Sequence, residues 1–162
     1  MDKELGQSAL QLGGRLLSQG LSIATAESCT GGWVAKVLTD IAGSSAWFER
    51  GFVTYSNAAK QELLGVQPAS IDAQGAVSEL VVQEMVRGAI ANSAADLALA
   101  VSGIAGPGGG TPEKPVGTVW FAWGRKDRTP ITQMMQFDGD RDRVRRQAVL
   151  TALQGALDLI ER

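Results

Sequence analysis

A continuous apolar run at residues 97–101, reading L-A-L-A-V, constrains the fold more than any other stretch. Such a run without alternation is typical of a strand that is covered on both faces. It leads directly into a glycine-rich segment at residues 102–110, and segments with helical periodicity lie on either side in the chain. Strands that alternate with helices indicate an α/β protein. We therefore predict a three-layer α/β/α sandwich with a partly parallel sheet of about five strands.

Local patterns predict the remaining elements. Leu5, Ala9, Leu12 and Leu16 recur at helical spacing, and Gly20 is the expected end of that helix. Further helices are predicted at residues 33–42 and 57–64, from 78, and from 141; strands at 21–24, 52–55, 116–123 and 131–137; and a loop at 68–76. Trp47 and Phe48 are expected in a loop, where they cover the core or contact another subunit. No linker or repeat divides residues 1–162, so we expect one domain.

Composition excludes several classes of function. The chain has no histidine and one cysteine, so His-dependent serine or cysteine triads and common Cys/His zinc sites are excluded. A net charge of −2 argues against a general nucleic-acid binder or a protein of anionic membranes. Charged residues interrupt the first 20 positions, so a signal peptide or membrane span is not expected there. A cytoplasmic location is the expectation.

The segment T-A-E-S-C-T-G-G at residues 25–32 is predicted to be a strand-to-helix turn. Thr30 is the expected N-cap, and Gly31 and Gly32 would leave backbone N–H groups open to an anion or an oxyanion. The alternative is an ordinary connection with small residues. Ser28 and Cys29 are rival nucleophiles, and adjacent residues in extended backbone point to opposite sides, so only one of them is expected to face a pocket.

Three other segments bring candidate groups to the same region. Tyr55 and Lys60 bracket a second strand-to-helix transition, with Ser56 and Asn57 as turn and cap, although an arbitrary lysine there would point to solvent. The loop at 102–110 fits neither a P-loop nor a dinucleotide-binding fingerprint. Its glycines either allow close approach to a ligand or provide a flexible connection. Arg141 and Arg145 begin the last helix, where cations oppose the helix dipole; a phosphate ligand or a plain charged face would explain them.

Five motifs closely resemble the CinA C-terminal domain family. They are T-A-E-S-C-T-G-G at 25–32, G-S-S-x-W-F-x-x-G-F-V-T-Y-S-N-x-A-K at 43–60, G-A-V-S-E at 75–79, S-G-I-A-G-P-x-G-G at 102–110 and K-P-V-G-T-V at 114–119. The resemblance implies hydrolysis of the carboxamide of nicotinamide mononucleotide to nicotinate mononucleotide and ammonia, without a metal or cofactor. The chain resembles the stand-alone form of the family, and we expect a homodimer.

The resemblance also implies roles for individual residues. Ser28 corresponds to the family's nucleophile, with Tyr55 and Lys60 as its associated groups and Arg141 or Arg145 as the arginine at the last helix. The expected substrate-binding residues are Thr30, Gly31, Gly32, Asn57, Ser102, Gly103, Gly106, Arg141 and Arg145.

This assignment makes a chemical demand on Lys60. To act as a base directly, rather than through Tyr55, the amine must lose its proton, which requires its pKa to fall by roughly two to three pH units, or about 3–4 kcal/mol. The hypothesis is acyl transfer through Ser28, with backbone N–H groups near residues 30–32 or in the glycine loop holding the oxyanion. The alternatives are a non-catalytic nucleotide-binding module and a metal-dependent phosphotransferase using Glu27, Asp138, Asp140 and Asp142, whose spacing matches no recognised metal motif.

Overall fold

A computed structural model describes residues 2–161. Six α-helices and five strands follow one another as α1 (Lys3–Gln19), β1 (Ile23–Glu27), α2 (Trp33–Thr39), β2 (Phe48–Val53), α3 (Asn57–Leu64), α4 (Pro68–Gln74), α5 (Glu79–Ala91), β3 (Leu97–Gly103), β4 (Thr118–Arg125), β5 (Ile131–Gln136) and α6 (Arg141–Glu161). The predicted α/β sandwich is confirmed.

The strands form one mixed sheet in the order β2-β1-β3-β4-β5. β1 pairs in parallel with β2 and β3, whereas β3–β4 and β4–β5 are antiparallel. β3 is the central strand, as its apolar run predicted. The carboxyl ends of β1, β2 and β3 and the start of β4 lie at one edge of the sheet, where the segments with candidate groups begin.

Alternation along β3 separates two hydrophobic clusters. Leu97, Leu99 and Val101 pack into a cluster with α1, α2 and α6, while Ala98 and Ala100 face α5. The face toward α5 is mostly alanine, because Ala24, Ala26 and Ala122 continue it on the neighbouring strands. Small side chains there allow α5, and α3 packed against it, to lie close to the sheet.

Several predicted boundaries were wrong. The segment at 68–76, predicted as a loop, is mostly α4, which begins with Pro68 at its first turn, a position that tolerates proline. β1 extends through Glu27. β2 covers 48–53 rather than 52–55. The charged residues Glu49 and Arg50 hide the strand pattern in the sequence, and such residues are common on an edge strand like β2. Helix α2 ends at Thr39 and β4 begins at Thr118, so both depart from the predicted ranges.

Trp47 is a core residue. It is 3% exposed, and its ring lies so close to α1 that a Cβ on Gly13 would come within 2.5 Å of it. The aromatic side chain therefore covers the core, which was one of the two sequence expectations. Within the described chain, no helix combines the length and the apolar character that a membrane crossing requires.

Candidate active site

Ser28 lies immediately beyond β1, at the carboxyl edge of the sheet. Its backbone N–H donates to the Val101 carbonyl on β3 at 3.0 Å, which fixes the residue between the two central parallel strands. Its side chain reaches a cavity of about 300 Å³. The predicted strand-to-helix turn thus places the hydroxyl where the loops after three strands converge.

Lys60 is buried against this hydroxyl. The residue is 1% exposed, and its Nζ lies 2.9 Å from Ser28 Oγ, 2.9 Å from the Thr54 carbonyl and 3.2 Å from the Tyr55 carbonyl. Ser56 caps α3 by accepting from the Ala59 N–H, as the sequence predicted for that turn. The alternative of a solvent-facing lysine is therefore excluded by the structure.

The surroundings of Lys60 favour the loss of its proton. Burial lowers the pKa of the amine, and no carboxylate of residues 2–161 forms an ion pair with it. The protonated amine can donate to all three oxygens around it. In the neutral amine, two N–H groups can remain on the carbonyls while the lone pair accepts from the Ser28 hydroxyl.

Cys29 is a poor rival nucleophile. Its side chain belongs to the hydrophobic cluster with α1, α2 and α6 and is 5% exposed. Burial, and then the charge of Glu27, raise the pKa of this thiol to about 12, so the thiolate is strongly disfavoured.

The cavity collects residues from five segments of the chain. Arg141 donates to the Gly106 carbonyl at 2.7 Å and to the Tyr55 hydroxyl at 3.1 Å, and so joins the start of α6 to two loops at the rim. Tyr55 thus contacts the two basic residues through different groups. Its hydroxyl accepts from Arg141, and its backbone carbonyl accepts from Lys60. The lining residues are Ser28, Cys29, Tyr55, Asn57, Lys60, Ala76, Val77, Ser102, Gly103, Ile104, Ala105, Gly106, Gly108, Gly109 and Arg141.

The chain is similar to known proteins over the segments that form this site. A family model described as CinA C-terminal domain matches residues 6–160. The chain belongs to the CinA C-terminal domain family. The match spans almost the whole described domain, including every segment that lines the cavity.

Relatives and a solved structure extend the comparison. The nicotinamide-nucleotide amidohydrolase PncC of Escherichia coli K12 is 60% identical over 153 residues, covering 94% of this chain and 93% of that protein. The protein of the same name from Pseudomonas putida is 56% identical, covering 93% and 94%. The crystal structure of the competence/damage inducible protein CihA from Agrobacterium tumefaciens superposes with a TM-score of 0.96 at 42% identity, covering 100% and 98%.

Four predicted substrate-binding residues of this CinA domain, Thr30, Gly31, Gly32 and Arg145, lie outside the cavity. Thr30, Gly31 and Gly32 line a separate groove with Trp33 and Arg145. The prediction of Thr30 as the N-cap was wrong: Gly32 holds that position without a side-chain bond, and the Thr30 hydroxyl donates to Glu27 at 2.6 Å.

The predicted anion site at the start of α2 is also closed. The N–H groups of Val34 and Ala35 donate to the Glu27 carboxylate at 2.9 and 3.0 Å, and the Gly31 N–H donates to the Ser28 carbonyl. A buried carboxylate therefore already occupies the positive end of the helix. The sequence signal for this capping role is an acidic residue, Glu27, at the end of a strand. From the sequence, Glu27 is considered only as a possible metal ligand.

The two arginines that the sequence could not distinguish have different positions. Arg141 lines the cavity, whereas Arg145 does not and instead donates to the Cys29 and Thr30 carbonyls.

Ser102 is 1% exposed, and its hydroxyl donates to the Ala76 carbonyl at 2.9 Å. Sequence reasoning did not identify the wall formed by Ala76 and Val77, which precede the predicted helix start at Ser78. Residues 2–161 contain no cluster of three metal-ligating side chains.

Proposed function

We propose that this protein is a nicotinamide-nucleotide amidohydrolase that uses Ser28 as a nucleophile and Lys60 as its base. Nicotinamide mononucleotide is the substrate, and nicotinate mononucleotide and ammonia are the products. The observation that carries the mechanism is the 2.9 Å contact between Lys60 Nζ and Ser28 Oγ inside a cavity. Relatives that are 56–60% identical over most of the chain are named nicotinamide-nucleotide amidohydrolase PncC, which supports the choice of substrate.

The reaction begins with proton transfer from Ser28 to neutral Lys60. The serine oxygen then bonds to the carboxamide carbon and forms a tetrahedral intermediate. Collapse of the intermediate breaks the C–N bond, and the proton held by Lys60 passes to the leaving nitrogen, which departs as ammonia. Water then attacks the ester with Lys60 again accepting a proton, and the acid product and free Ser28 hydroxyl are restored.

The glycine loop supplies the oxyanion donors in this proposal. The backbone N–H groups of Ala105, Gly106, Gly108 and Gly109 donate to no protein acceptor within residues 2–161, and all four residues line the cavity. At the start of α2, the N–H groups of residues 31 and 33–35 already donate to protein acceptors. Residues 30–32 also line a groove outside the cavity, so of the two sources considered from the sequence we choose the loop. Free donors on a fixed loop stabilise charge that develops on the carbonyl oxygen.

Charge and size favour a phosphorylated mononucleotide. Among the described residues, the cavity wall contains two basic side chains, Lys60 and Arg141, and no carboxylate. The partners of Arg141 are a carbonyl and a phenol, both neutral, so a phosphate is a stronger acceptor for its guanidinium. The volume of about 300 Å³ is at the lower end of the range for small-ligand sites, which favours a mononucleotide over a dinucleotide.

Two broader features belong to the same proposal. A homodimer is supported by exposed apolar side chains beside the edge strand β2, namely Val53, Tyr55 and Leu63. Analytical ultracentrifugation, which measures the mass of the protein in solution, tests whether it is a dimer. The one cysteine, Cys29, forms no disulfide, which is typical of a reducing compartment such as the cytoplasm.

The test is ammonia release from nicotinamide mononucleotide by the purified protein. Wild type should release ammonia in the presence of a chelator, and Ser28→Ala should lose activity by at least about 10³-fold. Cys29→Ala is the matched control and should retain activity within a few fold. No ammonia from the wild type would support the non-catalytic binding module, whereas full activity of Ser28→Ala would exclude the serine mechanism.

A further inference from the structure

The turn that carries Ser28 is anchored by a buried carboxylate on the side away from the cavity. Glu27 is 0% exposed and accepts three hydrogen bonds, from the Thr30 hydroxyl at 2.6 Å and from the N–H groups of Val34 and Ala35 at 2.9 and 3.0 Å. These bonds connect the last residue of β1 to both the turn and the first residues of α2. By accepting from these donors, the Glu27 carboxylate fixes the path of the backbone through residues 28–33.

The carbonyl groups of the same turn are held by Arg145. Its Nε donates to the Cys29 carbonyl at 3.0 Å and its NH2 group to the Thr30 carbonyl at 3.3 Å. The guanidinium also lies over the Trp33 ring, 5.8 Å from the ring centroid. These contacts explain why a cation, Arg145, lies near the start of α6 without a bound phosphate.

The two side chains act on complementary backbone groups. We propose that Glu27 and Arg145 are positioning residues for Ser28, which keep its hydroxyl within reach of the Lys60 amine. Neither residue lines the cavity, so each acts through the turn rather than by touching substrate. We call Glu27 and Arg145, with their hydrogen bonds to the turn, the clamp. Its effect on catalysis rests on the proposed function of Ser28, whereas its geometry does not.

The expected kinetic effect differs from that of a substrate-binding residue. Displacement of a reacting group by about 1 Å costs on the order of 10²-fold in rate. We therefore expect Glu27→Gln and Arg145→Met to lower kcat by about 10–100-fold while KM for nicotinamide mononucleotide stays within about threefold. Arg145→Lys retains a cation but loses the two-bond geometry, so its kcat should fall between those of wild type and Arg145→Met.

Arg146→Met is the matched control. Arg146 is the next residue of α6, and it pairs with Asp2 and Glu4 rather than with the turn. Its loss should lower the melting temperature and leave kcat unchanged at a temperature well below unfolding. Equal kcat values for Arg145→Met and Arg146→Met, both folded by circular dichroism, would overturn the proposal.

A second readout does not depend on the natural substrate. A fluorophosphonate labels an activated serine: the Ser28 oxygen bonds to phosphorus, fluoride leaves, and Lys60 takes the hydroxyl proton. Labelling of Ser28 should be about 10-fold or more slower in Glu27→Gln and Arg145→Met than in wild type or Arg146→Met. If wild type releases no ammonia but this order of labelling holds, the proposed function fails and the clamp stands. Equal labelling in all four proteins would overturn the clamp.

Discussion

The Lys60 amine and the Ser28 hydroxyl lie 2.9 Å apart, and the amine is otherwise held by two backbone carbonyls. Because the carbonyls can only accept, they occupy two N–H groups of the neutral amine and leave its lone pair for the serine proton. The site thus needs no imidazole, in a chain that has no histidine.

Replacement of Lys60 should abolish the reaction whether the new side chain is neutral or cationic. Lys60→Met removes the base, and Lys60→Arg supplies a cation that does not lose its proton in proteins. We expect both variants to lose about 10³-fold in kcat, within the range for removal of a general base. Steady-state ammonia release measures this. Substantial activity in Lys60→Arg would show that an amine lone pair is not required.

The stability of the protein should depend on pH through Lys60. Because burial lowers the pKa of this amine, the unfolded chain binds more protons than the folded one at pH values between the folded pKa and the ordinary lysine value. The free energy of unfolding therefore rises with pH in that interval. Urea unfolding at several pH values should show wild type gaining stability relative to Lys60→Met as pH rises. A constant difference between the two proteins would contradict the lowered pKa.

Arg141 should act on the phosphate of the substrate. Arg141→Ala is expected to lower kcat/KM for nicotinamide mononucleotide by about 10–100-fold, which corresponds to the loss of a charged hydrogen bond. With nicotinamide riboside, which has no phosphate, the variant and wild type should agree within about threefold. Arg143→Ala is the control, because Arg143 is exposed in the same helical turn and does not line the cavity. An equal loss with both substrates would remove the phosphate role.

Tyr55→Phe tests whether the phenol is the base. The hydroxyl contacts Arg141 at 3.1 Å, whereas the Tyr55 carbonyl, which the variant keeps, is the group that contacts Lys60. We expect kcat to fall by less than about 10-fold. A loss of about 10³-fold would indicate that the hydroxyl takes part in proton transfer.

The close approach of α5 to α3 should matter for activity as well as for stability. A Cβ on Gly88 of α5 would lie 1.8 Å from the Leu64 carbonyl oxygen at the end of α3, so α3 and its Lys60 would have to move. Gly88→Ala should destabilise the protein by about 1–3 kcal/mol and lower kcat. Gly14→Ala is the control, because its added Cβ meets no atom within 4 Å, and it should stabilise α1 by about 0.5–1 kcal/mol. Unchanged kcat in Gly88→Ala would show that the contact does not position Lys60.

The sequence predicted what local pattern controls. Periodicity and caps gave α1 with its end at Gly20, α3 between Ser56 and Gly65, and the central strand β3. The convergence of Ser28, Tyr55 and Lys60 followed because the carboxyl ends of neighbouring parallel strands share one edge of a sheet. The sequence missed α4 because Pro68 and Gly75 at its ends resemble loop residues.

Side-chain direction was the part that the sequence did not determine. Arg141 and Arg145 are one helical turn apart, yet one lines the cavity and the other holds the Ser28 turn. Glu27 is three residues before Thr30, and its capture of the α2 N–H groups converts an apparent anion site into an internal contact. For Arg141 and Arg145 the choice depends on tertiary partners, the Gly106 carbonyl 35 residues away and the Cys29 carbonyl 116 residues away.

The most direct test of the account is an NMR titration of the Lys60 amine in the folded protein. With ¹⁵N-labelled lysine, the Lys60 signal is assigned by its loss in Lys60→Arg, and the other four lysines serve as references. We expect Lys60 to titrate below the other four lysines, with the same midpoint as the rise of kcat/KM with pH. A Lys60 midpoint at or above those of the other lysines would contradict it.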